Sequence, residues 1–77
     1  MLNNKEKVDG FYFEYDSEHS FYECRGRIMY DDEHDEMPEP ELWRAAHKLK
    51  KILKNKGFEC EVEHSEKGWV YVTVLNK

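Results

Sequence analysis

Seventy-seven residues are enough for one domain but bury only a small core, so stability is slim unless something supplements it, self-association being the first candidate. With 39% hydrophobic and 38% charged residues and eleven aromatics, the chain is too apolar and too aromatic to be a disordered protein. A net charge of −5 argues against general nucleic-acid affinity, because phosphate binding needs a positive surface that releases counterions.

Residues 1–7 are polar and charged and are expected to fray, leaving 8–77 as a single domain. Met1 to Gly10 holds no apolar run, so no signal peptide is read there, and no stretch nears the roughly 18 apolar residues of a membrane span. The expected setting is cytoplasmic, with no membrane contact. Phe11, Phe13 and Tyr15 then alternate with Tyr12 and Glu14, the two-residue period of a strand with one buried face. The polar cluster Asp16 to Ser20 has the length of a hairpin loop and leads into a second alternating run that ends near Tyr30. In that run Tyr22, Cys24, Gly26, Ile28 and Tyr30 form the better core side. Gly26 marks a bulge or a place where the helix backbone comes close.

Asp31 to Glu41 carries seven acids and no Lys or Arg, whereas Arg44 to Lys56 carries six bases and no acid. The acidic connector therefore feeds a basic helix, predicted over Glu41 to Gly57. Leu42, Ala45, Ala46, Leu49, Ile52 and Leu53 wind into one apolar stripe at 3.6 residues per turn. Pro38 and Pro40 suit the entry of a helix, and Gly57 can turn left-handed to cap its last carbonyls. Phe58, Cys60 and Val62 next alternate with Glu59, Glu61 and Glu63. After the Ser65 to Gly68 loop, Val70, Val72 and Val74 alternate with Trp69, Tyr71 and Thr73. The expected architecture is α+β: a two-layer ββαββ domain in which two β-hairpins form a mostly antiparallel four-stranded sheet with one helix packed on one face.

The chemistry-bearing residues are weighed against plainer roles. The acidic loop 31–36 has oxygens enough for a divalent cation, but a calcium loop starting at Asp31 would need glycine at Glu36 and a glutamate at Leu42. The plainer reading is a solvated loop facing the positive end of the helix. His19, Cys24, Cys60 and His64 are residue types that bind zinc, yet their spacing matches no common zinc motif, and each cysteine falls on an apolar face. Both cysteines are expected to be buried thiols, which are inert, so neither a metal, a cofactor nor a catalytic nucleophile is assigned.

Two surfaces remain. Tyr12, Trp69 and Tyr71 fall on the face the helix leaves open, where Glu59, Glu61 and Glu63 would repel phosphates; contact with a second copy or another protein is the better use of these rings. On the helix, Trp43, Arg44, His47, Lys50, Lys51 and Lys54 place an aromatic among cations, as a nucleic-acid-binding face would. The plainer alternative is that Trp43 covers the edge of the core while the lysines keep that face soluble. The functional expectation is a small non-catalytic interaction module, self-associating as a homodimer or binding another protein. The alternative is a nucleic-acid-binding module using the helix face around Trp43.

Overall fold

The structure, a computed structural model, describes residues 2–30, 36–65 and 67–76. Its elements are β1 (Lys5–Val8), β2 (Phe11–Asp16), β3 (Phe21–Cys24), β4 (Ile28–Tyr30), β5 (Glu36–Pro38), α1 (Pro40–Asn55), β6 (Cys60–His64) and β7 (Val70–Val74). The α+β class, the single helix and the antiparallel sheet are as expected. The strand count is corrected: the main sheet has five strands in the order β1-β2-β3-β7-β6, and β4 and β5 form a small second sheet.

The fifth strand comes from the polar segment expected to fray. Asp9 and Gly10 both take positive φ, 51° and 86°, as a two-residue hairpin turn whose twist matches its strands requires. That turn pairs Val8 with Phe11 and Lys5 with Glu14. The hydroxyl of Tyr22, itself fully buried, donates to the Asn3 carbonyl at 2.6 Å and fastens the segment preceding β1. Burial pushes the Tyr22 phenol up to about 12.

The run expected to reach Tyr30 unbroken is also corrected. It stops at Cys24 and resumes as β4, because Gly26 and Gly68 bring backbone against backbone. A side chain at Gly26 would collide with Leu42 and the Gly68 carbonyl, and one at Gly68 would collide with the backbone of Arg27 and Ile28. Gly68 also holds φ at 81°, which glycine alone adopts without strain. Ile28 consequently leaves the main sheet and pairs with Pro38, instead of lying beneath the helix.

The helix keeps the expected ends to within two residues. Pro40 opens it, and the Glu39 carbonyl accepts the Trp43 amide at 2.9 Å. At the other end the Gly57 amide donates to Lys54 O and the Phe58 amide to Leu53 O, both at 3.0 Å, with Gly57 at φ 95°. This is a Schellman cap, and Phe58 packing on the core supplies its usual apolar contact. Leu42, Ala45, Ala46, Leu49 and Leu53 are buried against Phe13, Tyr22 and the three valines of β7. The two alanines let the helix approach the strands closely. Ile52, expected in the core, is 40% exposed, since the stripe turns past the sheet there. Helix α1 contacts β6, β7 and the opposite edge strand β1, so the sheet curls around it. Lys48 reaches Asp9 at 2.6 Å, and Lys56 reaches Glu6 at 3.7 Å.

Candidate functional site

One helix covers one face of the sheet, and the pleat sends alternate side chains to the other. Cross-strand register arranges that uncovered face in rows. One row crosses all five strands as Lys5, Glu14, Glu23, Tyr71 and Glu63. The next row toward the Gly26 end begins with the pair Lys7 and Tyr12 and continues through Arg25 and Trp69, which lie one step beyond the paired ends of β3 and β7. The Lys7 ammonium stands 5.2 Å from the centre of the Tyr12 ring, and the Arg25 guanidinium 4.7 Å from that of Trp69. Such contacts hold a cation over the negative face of a ring. Lys67 adds a second cation 5.6 Å from Trp69.

Arg25 also donates to Glu23 at 3.3 Å, and Lys5 lies 3.8 Å from Glu14. These pairs are exposed and contribute little to monomer stability. Phe21 packs against Tyr71 at 4.9 Å, and the ring of His19 stacks on Phe21 at 5.5 Å. Of the expected contact residues, Tyr12 is 59% exposed and Trp69 and Tyr71 are half-buried. Trp69 and Tyr71 are neighbours on β7 and its approach, whereas Tyr12 stands across β3 from them. Arg25 fills the space between, so the three rings form no continuous platform. Phe21, Glu23 and Arg25 belong to the surface but not to the expected set. Their role depends on β3 lying beside β7, a strand order that alternation along a chain does not reveal.

The helix flank is arranged differently. Trp43 is half-buried against the core, with His47 edge-on at 5.0 Å and His64 of β6 edge-on at 5.4 Å. Part of its ring surface is thus taken up by contacts within the chain. Arg44, His47, Lys51 and Lys54 are exposed and Lys50 is half-buried. Among the described residues none of these five makes an ion pair, in contrast to Lys48 and Lys56.

The residues weighed as zinc ligands fall apart in space. Cys24 is on β3 and Cys60 on β6, with β7 between them, which sets the strands about 9.6 Å apart. Both are buried free thiols, and burial pushes both thiol pKa values up. That leaves them protonated and unreactive near neutral pH. His19 instead lies beside Asp16 and Glu18 in the β2–β3 turn, where one ligand atom from each falls within 4.8 Å of the others. That turn is explained without an ion: Asp16 accepts the amides of Glu18 and His19 and pairs with the His19 ring at 2.9 Å. The hydrogen bond lowers the Asp16 pKa and raises that of His19. Residues 31–35 of the acidic loop weighed as a cation site lie outside the described residues.

Among the described residues no helix is long and apolar enough to cross a membrane. Comparison with protein-family models, with curated proteins and with solved structures finds no match for the chain.

Proposed function

We propose that this chain is a non-catalytic protein-interaction module of the cytoplasm whose first partner is a second copy of itself. The observation that carries the reading is the uncovered face of the five-stranded sheet, where Phe21, Trp69 and Tyr71 are only half-buried and Tyr12 is 59% exposed. A monomer leaves these rings against water, and aromatic residues are enriched where proteins meet. The buried, protonated thiols support a module without a nucleophile and suit a reducing compartment. Five strands about 4.8 Å apart and five residues long give roughly 400 Å² of flat footprint. This is about half of the roughly 800 Å² per partner that a standard stable interface buries and lies in the range of weak, transient association. Association in the micromolar range is expected. Sedimentation equilibrium from low to high micromolar concentration should show the mass rising from one chain toward two; a single-chain mass throughout would overturn the proposal.

A second reading, nucleic-acid binding, is favoured by one feature: Arg44, Lys50, Lys51 and Lys54 without ion pairs among the described residues. Against it, the Trp43 ring that would stack on a base is half-buried between His47 and His64. Fluorescence anisotropy with labelled DNA and RNA at low salt separates the readings. Salt-sensitive binding lost in the Lys50→Glu/Lys54→Glu variant would establish the second.

A further inference from the structure

The two central rows of the uncovered face are complementary to each other, and that property specifies how a second copy fits. We infer that two copies pack sheet on sheet about a two-fold axis that runs across the strands, midway between the Tyr12–Arg25–Trp69 row and the Glu14–Glu23–Tyr71 row. The inference rests on the self-association proposed above and names its surface and register.

The argument is geometric. Rotation about an axis in the plane between two facing sheets keeps each residue on its own strand and exchanges the two rows. Strand β3 therefore sets Arg25 over Glu23 of the second copy, and β7 sets Trp69 over Tyr71 of the second copy. Strand β2 sets the Tyr12 hydroxyl over Glu14 of the second copy. Each contact occurs twice, as an isologous interface requires. On the three inner strands cation meets acid, ring meets ring, and a phenol donor meets a carboxylate, while at the β1 rim Lys7 falls over Lys5 of the second copy, both exposed to solvent that screens them. Arg25 and Glu23 already touch within one chain, so the two copies bring together two cations and two acids, which the second sheet shields from water. β3 and β7 are inner strands of the sheet, where the relative twist of facing sheets displaces side chains least.

The edges serve a two-fold contact less well. Edge to edge, β6 against its own copy would oppose Glu61 and Glu63 with no complementary contact beside them. Like charges directly opposite are destabilising, and charged edges resist such pairing. The basic helix face likewise repels itself.

Charge exchange tests the register. Arg25→Glu and Glu23→Arg each leave the described core untouched, which circular dichroism and a urea midpoint close to wild type verify. Each alone assembles four like charges at the centre of the interface and should weaken the homodimer by on the order of a hundredfold. Mixing the two variants should restore a dimer containing one chain of each, and so should placing both changes in one chain. Native mass spectrometry and sedimentation read all four samples. Variants that dimerise like wild type would overturn this surface while leaving self-association standing. Variants that are monomeric alone but fail to pair on mixing would overturn the register. A wild-type chain that is itself monomeric would remove the self-association on which the inference rests.

Discussion

Leu49 and Ile52 lie less than one turn apart on α1 and share the same apolar periodicity, but Leu49 is fully buried and Ile52 is 40% exposed. Truncating each to alanine separates the two environments. Leu49→Ala removes three carbons from a closed core, about 2.4 kcal/mol of transfer free energy at roughly 0.8 per carbon. The cavity left beneath the helix adds to this, giving an expected loss of about 3–5 kcal/mol. A domain of this size holds only on the order of 4–11 kcal/mol, so the change removes a large share. Ile52→Ala deletes three carbons that are little more than half covered, and alanine's better helix propensity returns a few tenths of a kcal/mol. The expected net cost is about 1 kcal/mol. In urea, with a slope of about 1.5 kcal/mol/M, in the lower part of the usual range, the Leu49 variant should lose roughly 2–3 M of midpoint and the Ile52 variant less than about 1 M. Equal midpoints for the two variants would refute the helix orientation.

Three further outcomes follow from the same geometry. Gly10→Ala meets open space and costs only the left-handed penalty of about 1–2 kcal/mol, whereas Gly68→Ala also collides with the Arg27 backbone and should cost roughly 1–3 kcal/mol more; thermal melts of the pair check the close approach. The Asp16–His19 pair stabilises its turn fully from the ordinary Asp value of 3.8 up to the ordinary His value of 6.5. Its contribution is lost as pH falls through the lowered Asp16 pKa or rises through the raised His19 pKa, so an NMR titration should place His19 above its ordinary value and Asp16→Asn should bring it back. Cys24 and Cys60 should react slowly with a thiol reagent near neutral pH and at once in denaturant; rapid labelling of both in the native protein would show the buried face to be misassigned.

Where local chemistry decides the structure, the sequence is readable. The helix ends follow from Pro40 and Gly57, the faces of β2, β6 and β7 follow from alternation, and the burial of Tyr22 and both cysteines follows from their parity. Strand β1 escapes because Lys5 to Val8 has almost no apolar signal and is held by the sheet beside it. The Asp9-Gly10 turn was the mark that could have disclosed it. The break after Cys24 escapes because Gly26 meets Gly68, forty-two residues later in the chain, a contact that no local pattern encodes. Ile52 obeys the helical period, but the period gives the direction of a stripe and not the width of the sheet beneath it. The candidate surface was half legible for the same reason: Tyr12, Trp69 and Tyr71, and the face on which Glu23 and Arg25 lie, follow from parity, while the place of Glu23 and Arg25 beside Tyr71 and Trp69 is known only when β3 lies against β7.

The uncovered sheet face as the contact between copies is open to direct observation in a mixed sample of isotope-labelled and unlabelled protein at high micromolar concentration, using isotope-filtered NOE spectra. The account predicts intermolecular NOEs from the Trp69 ring to Tyr71 and from Tyr12 to Glu14, all of them fading on dilution. Intermolecular NOEs from Ile52 and the helix face instead, with none from Trp69 or Tyr71, would contradict it.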